Sequence, residues 1–311
     1  MSEDGMPVGT EKVSRMTSLK VLVLILATAG LIPDAHSKAS VYSGVNVYKP
    51  TINKWKSTVE SASFDSTSWL WSLGSSDRKH KNGSRDTILM VPTVSVPDDI
   101  TLIVWFHGLN GFSKKTFEKR LIPQIEDIVE NGNSIAVAIP EMPWSINTST
   151  PRKRQGKVWT RPGELEQYVK SIKERLEAWA IITHGVDLGS IRIVFVGHSA
   201  GGSALMSASR EGSLCRLGPE AIVWSDASYG HWLDSAWKGC IKEADTELHI
   251  LVRKWDKPHK NAQRLIKRMT KRSRLLSKPD IHYKVLNRKH WTHGRIGNNV
   301  FVLTNLFPPG C

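Results

Sequence analysis

Cysteine is scarce in this chain: three among 311 residues, at positions 215, 240 and 311. None sits in a C-x-x-C pair, and the histidines are scattered, so the close-set ligand pairs of a structural zinc site are missing. Neither a G-x-x-x-x-G-K-[ST] loop nor a G-x-G-x-x-G fingerprint occurs, so no phosphate cradle is written locally. The expectation is an activity that needs no metal and no cofactor. Acidic residues are few as well, 29 against 43 Lys and Arg, giving a formal charge of +14. No repeat, low-complexity tract or Gly/Pro-rich hinge interrupts the middle of the chain. With 40% hydrophobic residues it can bury one large core, so a single domain over 40–311 is expected. Within it, 40–84 reads as an irregular segment, rich in Ser and Lys, with Trp55, Trp69 and Trp71; a hairpin at a sheet edge and a surface wrap both fit it.

Long apolar runs are missing too, with one exception. Lys12, Arg15 and Lys20 precede Val21-Leu22-Val23-Leu24-Ile25-Leu26-Ala27, and the apolar stretch ends near Ile32-Pro33. Small residues follow at Ala35 and Ser37, or at Ser37 and Ala39. A positive start, a short apolar run and a small-x-small site describe a secretory signal, and the run is too short for a comfortable span. Residues 1–39 are therefore expected to be a signal peptide with an upstream extension, Met16 opening the better-proportioned signal. Cleavage near 37–39 would leave a secreted or periplasmic protein with no stable membrane span. In an exported protein, +14 points to anionic surfaces, acidic glycans or cell-wall polymers rather than nucleic acid. The cations gather at Arg152-Lys153-Arg154 with Lys157 and Arg161, and over 257–278, which holds nine basic residues and no acidic one. There Ala262, Leu265, Ile266, Met269 and Leu276 form an apolar stripe, so the second cluster reads as the solvated face of a helix. Export also suits a disulfide. Cys215–Cys240 would close about 25 residues around Asp226, stabilising by about 3 kcal/mol; Cys240–Cys311 is the alternative.

The most informative stretch is Ile191-Arg192-Ile193-Val194-Phe195-Val196-Gly197-His198-Ser199-Ala200-Gly201-Gly202. An apolar β-branched run stops at a glycine, a serine follows two residues on, and two glycines precede small, helix-tolerant residues. Strand, tight turn and helix are implied, with Gly197-His198-Ser199-Ala200-Gly201 as G-x-S-x-G. Glycine two residues either side of the serine removes the Cβ atoms that would collide where strand and helix pass closely. The helix then starts at the serine, so free N–H groups point to where an oxyanion would form.

At these residues the chain resembles the α/β-hydrolase superfamily, over roughly 85–308. The resemblance implies an α/β fold: a mostly parallel central sheet with helices on both faces. The rest of the pattern agrees. Strands are expected at 87–92, 100–106, 134–140, 221–224, 247–252 and 282–286, and helices at 115–131, 164–184 and 300–306, the first ending at Gly132. Ile100–Phe106 ends in His107-Gly108-Leu109-Asn110-Gly111. By resemblance, the Leu109 and Ala200 N–H groups would form the oxyanion hole.

Asp and His then appear at successive strand ends after the serine, which is the chain order of this superfamily. His293, followed by Gly294 and a helix, matches the family's histidine, with His290 as competitor in the same loop. For the acid, Asp226 follows an apolar strand directly, while Asp256 holds the commoner family position inside Arg253-Lys254-Trp255-Asp256-Lys257. Asp226 is favoured, and Asp256 stays open. The long polar loop 141–162, with Trp144, Arg152 and Trp159, together with Trp232 and Trp291, is expected at the mouth of the site. The expected activity is that of a serine hydrolase cleaving an ester, or an amide, of a small or polymeric and possibly anionic substrate. A cell-wall peptidase or amidase is the alternative within enzymes; a catalytically silent hydrolase-like protein binding anionic polymer is the alternative outside them.

Overall fold

Nine strands form one sheet in the order β1-β2-β3-β5-β4-β6-β7-β8-β9. The computed structural model describes residues 40–42, 45–48, 87–92, 99–109, 121–140, 142, 159, 161–272 and 280–308. In chain order the strands are β1 (Ser40–Tyr42), β2 (Val45–Tyr48), β3 (Thr87–Pro92), β4 (Asp99–Phe106), β5 (Ile135–Pro140), β6 (Ser190–His198), β7 (Ala221–Ser225), β8 (Glu247–Arg253) and β9 (Asp280–Leu286). The first three run antiparallel to their neighbours; β5, β4, β6, β7, β8 and β9 are mutually parallel. The N-terminal segment thus supplies a hairpin at the sheet edge, the first of the two arrangements its sequence allowed. The expected leader at 1–39 lies outside the described residues. Among those that are described, no helix is long and apolar enough to cross a membrane.

The central strands are apolar at consecutive positions because both of their faces are covered. On one face, Leu102, Val104 and Phe106 of β4, Phe195 of β6 and Ile222 and Trp224 of β7 meet Leu165, Tyr168, Val169, Ile172 and Leu176 of α2 (Glu164–His184). Leu205 of α3 (Gly202–Glu211), Leu233 of α5 (Trp232–Gly239) and Leu265 of α6 (Lys257–Arg272) complete that layer. On the other, Ile103, Val137, Val194 and Val223 meet Ile122, Ile125 and Ile128 of α1 (Ile122–Glu130). They also meet Ile296 of α7 (His293–Gly297) and Val300, Phe301 and Leu303 of α8 (Val300–Thr304). The short α4 (Ser213–Arg216) lies between α3 and β7 in the chain.

Helix ends follow the local chemistry. α2 stops at Gly185 and α3 at Gly212, both left-handed caps, at φ 68° and 96°. The last helix is shorter than expected, ending at Thr304 because Asn305 adopts φ 55°. The first ends as expected before Gly132, while the expected start at 115 lies outside the described residues. In α6, Ala262 and Leu265 are buried and Ile266 and Met269 partly so; the basic residues occupy the remaining faces, as a solvated amphipathic helix requires. Cys215 and Cys240 are joined in a disulfide between α4 and the end of α5.

Candidate active site

The turn after β6 is governed by close packing. Ser199 has φ +54°, rare for a residue with a side chain. A Cβ on Gly201 would stand 2.0 Å from the Phe106 carbonyl oxygen, and one on Gly202 2.5 Å from the Ala227 oxygen. A Cβ on Gly197 would meet Leu205 at 2.6 Å. The helical turn after Ser199 is therefore pressed directly onto the ends of β4 and β7; backbone leaves room only for glycine at 201 and 202, and a larger residue at 197 would have to displace the Leu205 side chain. Register does the rest: Phe106 pairs with Gly197, which places the loop after β4 over the serine. A Cβ on Gly108 would lie 2.9 Å from the Ser199 Cβ.

His107 holds that loop in place. The Met142 N–H donates to its Nε2 at 3.0 Å, so the proton sits on Nδ1, which donates to the Gly108 carbonyl at 2.7 Å. Burial lowers the pKa of this imidazole to about 4, against a smaller upward pull from the Gly108 carbonyl. It is a neutral cross-link between the ends of β4 and β5. Leu109 is half exposed beside it, and Ala200 is buried in the turn itself.

The acid and the imidazole come from the next strand ends. Asp226, directly after β7, is 1% exposed and also has a positive φ, +47°. Its N–H donates to the Leu251 carbonyl at 2.8 Å, and its Oδ1 accepts from the Arg253 N–H at 3.3 Å. Oδ2 is left for His293, whose Nδ1 lies 2.6 Å away. Asp256 instead pairs with Arg253, and His290 is exposed, tied into its loop only by its backbone groups.

A strained serine after β6, a buried carboxylate after β7 and an imidazole on that carboxylate after β9 now stand at one end of a parallel sheet. The chain thus has the expected α/β architecture, a mostly parallel central sheet with helices on both faces. No family model and no curated protein matches the chain. Solved structures do. An IroE-like serine hydrolase from Shewanella oneidensis is 14% identical, with 72% of this chain and 75% of that one covered and a TM-score of 0.44. Esterase B from Lactobacillus rhamnosis is 11% identical, covering 71% and 77%, with a TM-score of 0.40. An α/β serine hydrolase without a lid from Xanthomonas campestris is 12% identical, covering 73% and 96%, also at 0.40.

Three further residues of this candidate site carried no signal in the sequence. The His198 ring stacks on that of His293, centroids 4.7 Å apart and planes 26° apart, and its Nδ1 is 3.0 Å from the Ser225 carbonyl. Tyr229 bonds the Ser199 side chain and meets the His293 ring edge-on at 6.5 Å. Burial, and then the Asp226 carboxylate, raise its phenol above the ordinary value. The Arg253 backbone positions the acid through a contact that register alone creates.

One expectation is overturned. Trp159 is fully buried, edge-on to Phe106 at 5.5 Å and to Tyr168 at 5.5 Å. It closes the core beneath the site and offers no face to a substrate. Trp144 and Arg152 lie outside the described residues. Trp291 is partly exposed, two residues before His293, with the Arg295 guanidinium 5.5 Å from its ring centroid; Trp232 packs on Tyr229 at 5.8 Å. Finally, Glu247, His249 and His282 converge at the far end of β8 and β9. The sequence suggested no such cluster, because its members come from two strands.

Proposed function

We propose that the chain is an exported serine hydrolase that cleaves a carboxylic ester through an acyl-enzyme. Ser199 is the nucleophile, His293 the proton shuttle and Asp226 its orienting carboxylate. The observation that carries this is the Asp226–His293 hydrogen bond together with the strained backbone of Ser199, whose neighbour His198 stacks on the His293 ring. With its Nδ1 proton donated to Asp226, His293 presents the Nε2 lone pair as a general base. Ser199 Oγ turns from Tyr229 to that lone pair, gives up its proton and attacks the substrate carbonyl. The oxyanion develops toward the N–H groups of Leu109 and Ala200, held ready by the His107 cross-link and by the glycine-packed turn. The imidazolium then protonates the leaving alcohol, and the C–O bond breaks. Water, deprotonated by the same imidazole, attacks the acyl-enzyme, and the proton returns to Ser199 as the acid leaves.

Export rests on the apolar leader with its small-x-small site. The charge of +14, and the partly exposed indole of Trp291, two residues before His293 and paired with Arg295, favour an anionic or polymeric substrate. A fluorophosphonate probe read by intact mass tests the chemistry. One adduct on the wild type and none on Ser199→Ala is the expected result. No adduct on folded wild-type protein would replace this reading with a silent hydrolase-like protein that binds anionic polymer. Rates on matched neutral and anionic esters, and on amides, then test the substrate class; equal rates on the two esters would remove the anionic preference.

A further inference from the structure

We propose that the leading ends of β8 and β9 form a zinc-class transition-metal site, with His249, His282 and Glu247 as ligands and Asp280 as a fourth donor. The register makes the cluster. Glu247 pairs with Asp280 and His249 with His282, and residues two apart on a strand share a face. The four side chains therefore stand at the corners of one patch on one face of the sheet.

Their atoms already converge. Glu247 Oε2 is 2.8 Å from His249 Nε2 and 3.9 Å from His282 Nε2, and Asp280 Oδ2 is 3.3 Å from His282 Nε2. Tetrahedral zinc, with bonds of about 2.0–2.1 Å, separates its ligand atoms by roughly 3.4 Å, and these distances bracket that value. One ligand atom each from Glu247, His249 and His282 lie within 4.8 Å of one another, so small rotations about flexible carboxylate torsions complete the geometry.

The chemistry selects the ion. Two imidazoles and carboxylates suit zinc and its neighbours, whereas calcium and magnesium take oxygen alone. The two rings are stacked, centroids 4.5 Å and planes 16° apart, and two imidazoliums in that arrangement would repel. His249 is 3% exposed, so its ring is held in place by the surrounding protein. Glu247 and His282 are about half exposed, so an ion has a path in.

The site is structural in consequence. Glu247 and Arg253 stand six residue steps apart on β8, roughly 20 Å along the strand, so the metal stands far from Asp226. Among the described residues β9 is the last strand of the sheet and pairs only with β8, yet it leads into the loop that carries His293. A bound metal would fasten that strand.

The test uses the full, untagged chain stripped with chelator. Zinc chloride titrated by calorimetry should bind one ion per chain. At 100-fold excess over Kd, the melting temperature should rise by about 5–10 °C. Co²⁺ should give the visible bands of a tetrahedral centre. His282→Ala should cut affinity by more than the roughly 10–100-fold that even an outer-shell partner is worth; it should also abolish the thermal shift. Glu247→Gln should do likewise, and serves if His282→Ala does not fold. Absence of stoichiometric binding overturns the proposal, as does binding that survives both substitutions or is lost only in His293→Ala. Either would leave the cluster as a histidine–carboxylate hydrogen-bond group.

Discussion

Gly297→Ala offers a sharp test of the site geometry, because it touches no reacting group. Gly297 closes α7, the helix that His293 opens. A Cβ there would stand 2.8 Å from His198 Cε1 and 2.9 Å from both of its ring nitrogens. Carbon contacts settle at about 3.5–4.0 Å, so something must yield by roughly 0.6–1.2 Å. If the His198 ring yields, it pulls on the residue bonded to Ser199 and on its own hydrogen bond to the Ser225 carbonyl. If α7 yields, His293 moves with it. Either way the nucleophile and the imidazole shift relative to each other. A displacement of about 1 Å costs roughly 100-fold in rate, while overpacking costs about 1–3 kcal/mol in stability. The readouts are the second-order rate of fluorophosphonate labelling, hydrolysis of p-nitrophenyl acetate, and a thermal melt. A double-mutant cycle isolates the contact. In a His198→Ala background the added methyl meets no ring, so the same substitution should cost less than about 3-fold. Equal losses in both backgrounds would refute the reasoning, and so would an unchanged rate in the single variant.

Three further outcomes follow from the same structure. Asp226→Asn should lower turnover by about 10⁴-fold, because the wrong imidazole tautomer results. Asp256→Asn, which breaks only the Arg253 pair, should stay near wild type in the same steady-state assay. Opening Cys215–Cys240, by reductant or as Cys215→Ser with Cys240→Ser, should cost about 3 kcal/mol. That is a drop of about 6–12 °C in Tm, with activity at 25 °C retained; differential scanning calorimetry with and without reductant checks it. His107 also makes stability pH-dependent. Its folded pKa of about 4 lies below the unfolded value of 6.5, so the unfolded chain binds the proton first as pH falls. Stability from this group is full above pH 6.5 and is lost between 6.5 and 4, by about 3 kcal/mol in all. Denaturant melts across that window should show a shallower slope in His107→Gln, and an equal slope would refute the assignment.

The parallel sheet was legible because its strands are buried on both faces, which writes short, nearly continuous apolar runs such as Ile100–Phe106 and Ile135–Ile139. The turn at Ser199 was legible for a steric reason. A Cβ added at Gly197, Gly201 or Gly202 would stand 2.0–2.6 Å from its nearest neighbouring atom, so the composition of that turn is dictated locally. Trp159 misled because a polar, basic neighbourhood surrounds it in sequence. A single large apolar side chain reaches the core whatever its neighbours are, and burial of one indole leaves no period to read.

What stayed hidden depends on register. His198 occupies an x position of G-x-S-x-G, and nothing in Gly-His-Ser predicts that its ring will lie on an imidazole from 95 residues downstream. The choice between Asp226 and Asp256 has the same character. Both follow apolar strands, and both are flanked by residues that could hold a carboxylate. The difference arises because Ser225 pairs with Leu251. That pairing brings the Arg253 N–H to Asp226 and leaves the Arg253 side chain to occupy Asp256. One arginine thus contacts both carboxylates, its backbone N–H bonding the first and its guanidinium pairing with the second. It follows that Arg253→Ala should free Asp256 while leaving Asp226 on His293, since the backbone N–H remains. The His249–His282 pair obeys the same logic, being 33 residues apart in sequence and adjacent only because β8 and β9 align residue for residue.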